Sequence, residues 1–254
     1  MFKLAKNSLA FEGGHSDELS FQTCKILLDQ PEHFKAMEII YADEAVFSQT
    51  CIFVLGGAHY RDITLNGVTI EQNTVYAANE NDVLRFIHLE QGFRLYLIAS
   101  AYEQRQIGRN RREFTHCFAP APEKIRLIKG PEYDYLADPE TFLASSFVIS
   151  ANSDLGGLRL ETATKGVAKI QARQFDITSS IVDDGLIQLT ANGPIVLLRE
   201  RQVTGGYPRI FSVIKTDLDF LAQYKIGSVV HFELIKLSTA KALLQQREQE
   251  LLSL

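Results

Sequence analysis

Short apolar runs separated by polar turns dominate the chain and predict a fold built mainly from strands. The longest run covers 45–55 and ends in Gly56-Gly57, and Asn66-Gly67 between two later runs suits the positive φ angles of a tight type I′ hairpin turn. Runs 83–89 and 93–99 predict another strand pair around Gln91-Gly92. The remaining predicted strands are 62–65, 68–70, 125–128, 146–150, 185–189, 195–198, 210–214 and 228–234. Many short strands with few helices are typical of β-barrels and sandwiches.

Three segments have helical rather than strand patterning. The first is predicted over 17–28, with Asp17 as its N-cap and Pro31 beyond its end. The second is predicted over 217–223, with Thr216 as its cap and Asp219 three positions later. The third covers 238–252 and sets leucines against charged and amide side chains. It either packs on its own domain or contacts a partner protein.

Alternating alanine and proline at 118–122 predict an extended linker, and with it the domain organisation. We expect an N-terminal β domain over 1–118, a C-terminal β domain over 119–237 and a helical tail over 238–254. An arginine-rich stretch precedes the linker and contains Arg105, Arg109, Arg111 and Arg112. It is interpreted as a solvated loop, the alternative being a site for a phosphate or an acidic partner.

Composition narrows the classes of function. Of the 254 residues, 46% are hydrophobic and 22% are charged, which is ordinary for a globular protein with a core. The net charge of −5 gives no reason to expect nucleic acid or an anionic membrane as a partner. No apolar stretch approaches the roughly 20 residues that span a bilayer, and no signal peptide is predicted.

The cysteines point to a reducing compartment. Cys24, Cys51 and Cys117 are odd in number and far apart, which favours reduced, mostly buried thiols in a cytoplasmic protein. Cys51 lies in an apolar run and is predicted to be a core strand residue. Cys117 follows His116, but this pair alone is weak evidence for a nucleophile or a metal site, and we predict no metal.

The strongest candidate chemistry lies in residues 200–209, which we call the signature segment. It follows a strand that is predicted to be buried and contains two adjacent glycines, which let a backbone approach a ligand closely or take positive φ angles. It also contains Arg201 and Arg209, whose planar guanidinium groups suit carboxylates and phosphates. The alternative is a hairpin corner whose polar residues satisfy their own backbone.

The signature segment resembles that of the biotin-dependent carboxyltransferase-like family. The family motif is an acidic residue, then Arg-Gln-Thr-Thr-Gly-Gly-Tyr-Pro and a basic residue, and only Val203 departs from it. This chain reads Glu200-Arg201-Gln202-Val203-Thr204-Gly205-Gly206-Tyr207-Pro208-Arg209, followed by Leu221-Ala222-Gln223 and Gly227. The family includes the C subunit of bacterial ATP-dependent 5-oxoprolinase, the second allophanate hydrolase-type subunit, the carboxyltransferase part of urea carboxylase and the sporulation kinase-inhibitor antagonists.

Further matches extend the resemblance from about Gly13 to Phe232. They are Gly13-Gly14-His15-Ser16-Asp17, Ala36-Met37-Glu38-Ile39, Leu55-Gly56-Gly57-Ala58 and Ser153-Asp154-Leu155-Gly156-Gly157-Leu158-Arg159-Leu160-Glu161. The chain departs at Leu155, Gly156 and Leu158, where the family has arginine, methionine and tyrosine. These departures favour weakened or altered chemistry.

The resemblance implies a mainly β fold of two cyclophilin-like β-barrel domains with a few short helices. It also implies a tight complex with a second cyclophilin-like protein, similar to the B subunit of 5-oxoprolinase. In 5-oxoprolinase the ATP-using A subunit joins these two. ATP then acts through a partner, and this chain itself holds no cofactor. The implied function is a hydrolase subunit that opens 5-oxoproline, a small-molecule amide, to glutamate and is active only in that complex.

The resemblance further implies the residues of the site. The catalytic candidates are Arg201, Gln202, Thr204, Tyr207 and Asp154, and the substrate-binding candidates are Ser153, Arg159, Gly205 and Gly206. Arg201 and the backbone amides of the glycine pair would stabilise an oxyanion, Arg159 would hold the substrate carboxylate, and Tyr207 or Asp154 would transfer protons.

Each of these roles has a structural alternative. For Asp154 the alternative is a residue that caps a turn, and for Tyr207 it is a residue that packs beside Pro208. For the two arginines, Arg201 and Arg209, it is an ion pair of one of them with Glu200. Glu38, next to an apolar run, is either a site residue or a buried structural carboxylate.

Two other functions also stay open. The first is a biotin-dependent carboxyltransferase subunit that acts on urea or another small amide. Its biotin would sit on a separate carrier, because this chain has no attachment site of the Met-Lys-Met type. The second is a regulatory binding subunit without catalysis.

Overall fold

A computed structural model describes residues 1–14, 16–29, 31–101, 122–163 and 170–253. Its contacts divide the chain into two compact units: Met1–Ala119 with Glu250–Leu254, and Pro120–Gln249. Residues 118–121 of the predicted linker (118–122), the arginine-rich stretch and the His116-Cys117 pair lie outside the described residues. No helix in the described ranges combines the length and apolarity needed to cross a bilayer.

In the described residues of Met1–Ala119, the first unit consists of one sheet and the helix α1 (Glu18–Leu27). Its strands are β1 (Phe2–Leu4), β2 (Leu9–Glu12), β3 (Phe34–Tyr41), β4 (Glu44–Phe47), β5 (Cys51–Leu65), β6 (Val68–Thr69), β7 (Tyr76–Ala78) and β8 (Val83–Ala101). They run in the order β1-β4-β8-β3-β2, and β5 pairs with β6, β7 and β8. The predicted cap of α1 is confirmed, because the Asp17 carboxylate accepts hydrogen bonds from the Ser20 amide at 3.0 Å and its hydroxyl at 2.6 Å.

Strands β5 and β8 correct one sequence prediction and confirm another. Residues 83–99 were expected to form two strands around Gln91-Gly92, which is wrong: they belong to the single strand β8, paired with β5 from Cys51↔Ala101 to Leu65↔Leu84. Gly92, at φ 83°, lies where the register of this long pair shifts. The Asn66-Gly67 hairpin is confirmed, since both residues take positive φ.

The run 45–55 is divided between two strands, with Ser48–Thr50 forming a turn between β4 and β5. Cys51 is confirmed as a core strand residue, and burial raises the pKa of its thiol to about 11. Cys24 on α1 is also fully buried.

In its described residues, the second unit contains an eight-stranded sheet, a two-stranded ribbon, three α-helices and a short 3-10 helix at Tyr133–Tyr135. Its strands are β9 (Ile125–Lys129), β10 (Phe147–Ile149), β11 (Gly157–Thr162), β12 (Ser180–Ile181), β13 (Leu186–Thr190), β14 (Gly193–Leu197), β15 (Thr204–Gly205), β16 (Arg209–Val213), β17 (Val229–Val230) and β18 (Phe232–Leu234). The sheet order is β17-β10-β11-β14-β13-β16-β9-β18, and β12 pairs with β15 as a small ribbon. A cluster of buried phenylalanines, including Phe142, Phe147, Phe211 and Phe232, lies at its centre.

The helices of this unit are α2 (Pro139–Ala144), α3 (Lys215–Ala222) and α4 (Leu237–Leu252). Helix α2 was not predicted, although Asp138 caps it and proline opens it, which is a recognisable start signal. Helix α3 begins two residues earlier than expected, so Thr216 lies inside it and does not cap it. Helix α4 is confirmed, and Arg247 on it hydrogen-bonds Asp219 and the Thr216 carbonyl, so this stretch packs on its own unit.

Candidate functional site

A polar cleft of about 780 Å³ lies within the second unit. One wall is the turn from Asp154 to Gly157 that leads into β11, and another is formed by Gln188 and Thr190 on β13. The signature segment contributes Gln202 and Tyr207. The sheet order explains this convergence, because β11, β14, β13 and β16 are successive neighbours and carry these segments at their ends.

The cleft brings together four of the nine predicted site residues: Asp154, Arg159, Gln202 and Tyr207. Ser153, Arg201, Thr204, Gly205 and Gly206 are not among the residues that line it. In the described ranges, no three His, Cys, Asp or Glu side chains are close enough together to hold a metal ion.

The turn before β11 is built around Asp154. One carboxylate oxygen accepts hydrogen bonds from the amides of Gly156 at 2.8 Å and Gly157 at 3.1 Å. The Ser153 hydroxyl accepts one from the Arg159 amide at 3.0 Å. These bonds match the turn-capping alternative for Asp154, and they hold the backbone that presents Arg159 to the cleft.

Arg159 and Tyr207 are two cleft side chains with unused hydrogen-bonding capacity. Both are exposed, Tyr207 at 41%, and neither side chain makes a hydrogen bond or an ion pair within the described part of the chain. A guanidinium has five N–H donors and a phenol can donate or accept, so both can bind a ligand without breaking an existing contact.

The two arginines of the signature segment are held by carboxylates instead. Arg201 contacts Asp183 at 3.0 Å and Asp184 at 2.8 Å. Arg209 binds Glu132 through Nε at 2.7 Å and Nη2 at 2.6 Å. The alternative in which one of them pairs with Glu200 is not the arrangement in the described residues, because the contacting carboxylates come from other loops. Hydrogen bonds from Arg209 lower the pKa of Glu132. In turn, the hydrogen bonds to Glu132 raise the pKa of Arg209.

The glycine pair serves close packing. A Cβ on Gly205 would lie 2.4 Å from Nε2 of Gln188, so no larger residue fits without displacing that side chain. The Gly206 carbonyl accepts a hydrogen bond from the Ile177 amide at 2.8 Å. Neither glycine takes a positive φ, so of the two expected uses of this pair the structure shows close approach.

Gln188 is the cleft residue that sequence reasoning missed. Its side chain is 1% exposed and lies on β13, where the register with β16 shifts between Ile187 and Gln188. A polar glutamine inside an otherwise apolar strand was the available signal, and only the fold shows that it faces a cleft.

Comparison with known proteins shows that the chain is similar to carboxyltransferase domains. The model of the carboxyltransferase domain, subdomain A and B, matches residues 11–102 and 98–234. The C subunit of 5-oxoprolinase from Haemophilus influenzae is 25% identical over 272 residues, which cover 92% of this chain and 86% of that protein. The C subunit of 5-oxoprolinase from Escherichia coli is 34% identical over 130 residues, 50% of this chain and 40% of that protein.

Solved structures share the fold. The K. lactis urea amidolyase superposes with a TM-score of 0.77 at 16% identity, covering 98% of this chain and 20% of that one. The Kluyveromyces lactis urea carboxylase gives 0.76 at 17% identity, covering 94% of this chain and 26% of that one. This chain thus spans about a fifth to a quarter of either enzyme. The expected fold, mainly β and cyclophilin-like, is confirmed.

Proposed function

The chain belongs to the carboxyltransferase domain family with subdomains A and B, and from that premise we propose that it is a subunit of a 5-oxoprolinase-like complex that opens 5-oxoproline to glutamate. Two relatives that are named as the C subunit of 5-oxoprolinase support the assignment to such a complex. The observation that carries the reaction is the cleft of the second unit, where Arg159 and Tyr207 have side chains without partners in the described residues.

Arg159 binds the carboxylate of 5-oxoproline. A guanidinium pairs with a carboxylate through two parallel hydrogen bonds, and charged hydrogen bonds of this kind are roughly twice as strong as neutral ones. The Asp154 turn, which Ser153 ties to the Arg159 amide, keeps this side chain on the cleft wall.

Ring opening adds water across the lactam C–N bond, so negative charge develops on the carbonyl oxygen and the leaving nitrogen takes up a proton. Tyr207 is our candidate donor of that proton, because it lines the cleft and its hydroxyl is unpaired in the described part of the chain. Gln202, which lines the cleft, is the donor proposed for the oxygen. Arg201 positions the signature segment through Asp183 and Asp184, and Thr204 does so through the ribbon with Ile181.

The complex supplies what this chain lacks. We propose that the direct partner is a second cyclophilin-like subunit and that a separate subunit uses ATP, so that the energy for ring opening enters through the partner. The buried cysteines Cys24 and Cys51 favour a cytoplasmic location.

A second candidate is a regulatory binding subunit that has lost its catalytic activity. Another is a carboxyltransferase subunit for urea or another small amide, with biotin on a separate carrier. Leu155 favours both over the first proposal, because this residue lines the cleft at a position where the family motif has arginine. Leu158, which replaces the motif's tyrosine, is 4% exposed and belongs to the core.

The test is an ATP-dependent assay of 5-oxoproline ring opening on the complex that co-purifies with the chain. Arg159→Met should raise KM and lower kcat/KM by about 10- to 100-fold, since it removes a charged hydrogen-bond pair. Arg85→Met is the matched control, because Arg85 is an exposed arginine of the first unit outside the cleft, and it should leave the rate unchanged. A stable complex that forms no glutamate, or unchanged kinetics in Arg159→Met, would contradict the proposal.

A further inference from the structure

We propose that Gln188 is a specificity-determining residue: its carboxamide binds the edge of the substrate on which an amide N–H and C=O lie side by side. This inference rests on the proposed function, because it assigns the amide-reading part of the same cleft. It concerns a residue outside the signature segment.

The placement of Gln188 is unusual for a glutamine. Its side chain is 1% exposed, yet the residue lines the cleft together with Gln202 and Tyr207. The register of β13 with β16 shifts beside it: Ile187 pairs with Phe211 and Gln188 with Arg209, so that Ile210 on β16 is skipped. Bulges of this kind commonly re-aim a side chain beside an active site.

The hydrogen bonds of this carboxamide leave capacity unused. Its Nε2 lies 3.5 Å from the Tyr207 carbonyl, and its Oε1 lies 3.4 Å from Nε2 of Gln202, both at the long end for hydrogen bonds. Within the described residues it makes no other hydrogen bond, although a carboxamide has two donors and two acceptor lone pairs. A buried group with long, incomplete bonds gains free energy when a ligand completes them.

Gly205 has its role in this arrangement. Because a Cβ at Gly205 would come within 2.4 Å of Nε2, the glycine allows the carboxamide to lie against the signature segment. The paired amides of Gln188 and Gln202 thereby form a continuous hydrogen-bonding edge on the cleft wall.

The chemistry of that edge selects one arrangement of substrate groups. Lactams, ureas and primary amides have an N–H and a C=O on the same edge, so they can form two parallel hydrogen bonds with a glutamine side chain. A trans peptide amide has these groups on opposite edges, and an ester or ether lacks the donor. A site that must pair a buried polar group strongly disfavours ligands that leave it unpaired.

Three small ligands separate recognition of the lactam amide from recognition of the carboxylate. 5-Oxoproline has both lactam and carboxylate, tetrahydrofuran-2-carboxylate has the ring and carboxylate without the amide, and 2-pyrrolidinone has the lactam alone. Their dissociation constants would be measured by titration calorimetry or saturation-transfer NMR on the co-purified complex without ATP, so that no turnover occurs.

The wild type should bind 5-oxoproline at least about tenfold more tightly than tetrahydrofuran-2-carboxylate, which corresponds to about 1.4 kcal/mol. Gln188→Met should reduce that ratio to within about twofold and leave the affinity for tetrahydrofuran-2-carboxylate unchanged. Gln188→Asn, which keeps an amide but shortens its reach, should lose the ratio as well and serves if the methionine variant does not fold. Gln171→Met, at an exposed glutamine of the same unit, should keep it.

An unchanged ratio in Gln188→Met or Gln188→Asn, or no lactam preference in the wild type, would overturn the assignment. Failure of the proposed function looks different: a complex that never forms glutamate but whose binding of 2-pyrrolidinone depends on Gln188 supports this inference alone. A complex that forms glutamate and keeps its lactam preference without Gln188 would refute this inference alone.

Discussion

Two polar clusters, one from each unit, differ in what their side chains contact. In the first unit the carboxylate of Glu38, 1% exposed, accepts hydrogen bonds from the Ser16 amide and hydroxyl, from Arg94 Nε at 2.8 Å and from the Tyr96 hydroxyl at 3.0 Å. We call these four residues the Glu38 network. In the cleft of the second unit, by contrast, Arg159 and Tyr207 have no such partners within the described ranges.

The difference separates polar groups that specify structure from those available to a ligand. Burial, and after it the charges of Asp17 and Glu38, raises the pKa of Tyr96 well above its ordinary value, so that group stays a neutral hydrogen-bond donor and acceptor. A Cβ on Gly14 would lie 2.7 Å from the Glu38 Cβ, so glycine is required for packing there as Gly205 is beside the cleft. The structural alternative therefore describes Glu38, although it lies in a stretch that resembles the family.

The largest expected effect comes from breaking the Glu38 network. Glu38→Ala removes the carboxylate that the buried Arg94 contacts at 2.8 Å, and removing one member of a buried pair costs about 3–5 kcal/mol. Chemical denaturation of the chain measures this loss. The cleft of the folded variant should bind 5-oxoproline as before, and Glu44→Ala, at an exposed ion pair of the same unit, should cost about 1 kcal/mol or less. A Glu38→Ala variant that keeps its stability but binds 5-oxoproline more weakly would contradict the assignment of the Glu38 network to structure and of the cleft to ligand binding.

An intermediate effect is expected from Arg247, which anchors α4. Arg247→Met removes contacts to Asp219 and the Thr216 carbonyl, with side-chain exposures of 16% for the arginine and 6% for the aspartate. We expect a cost of about 2 kcal/mol, because the pair is less buried than the Glu38 network. Denaturation again measures it, and hydrogen exchange should show faster exchange across α4. If Arg247→Met lowers the unfolding free energy as much as Glu38→Ala does, the difference in burial does not determine how much each ion pair contributes to stability.

The smallest effect on the unfolding free energy is expected from the ion pair of Arg209, in the signature segment, with Glu132, and it depends on pH. Arg209 lowers the folded-state pKa of Glu132, so this pair stabilises the fold above the unfolded-state pKa and loses its contribution as pH falls through the folded-state value. The unfolding free energies of wild type and Glu132→Gln should differ by about 1 kcal/mol near neutral pH. That gap should be constant above about pH 6, begin to narrow near the ordinary glutamate pKa of about 4.3, and close as the pH falls through the lower folded-state pKa. If the difference in unfolding free energy stays the same in acid, the charge of Glu132 is not the source of the stabilisation by this ion pair.

Local signals predicted much of the secondary structure. Asp17 capped its helix as expected, and Asn66-Gly67 turned its hairpin, because caps and tight turns depend on a few adjacent residues. The break at Gln91-Gly92 was misread because a glycine between two strand runs predicts a turn and a bulge equally well. Only the neighbouring strand β5, which pairs across the break, distinguishes the two.

The sequence by itself determined the mainly β character, the family and the segment that borders the cleft, because strand patterning and a contiguous motif are local properties of the chain. The tertiary structure decided the function of individual side chains. It paired Arg209 with Glu132, 77 positions away, and Arg201 with Asp183 and Asp184. It also placed Gln188 in the cleft wall. The physical reason is that a polar side chain is defined by what it contacts, and strand pairing brings together residues that are far apart along the chain.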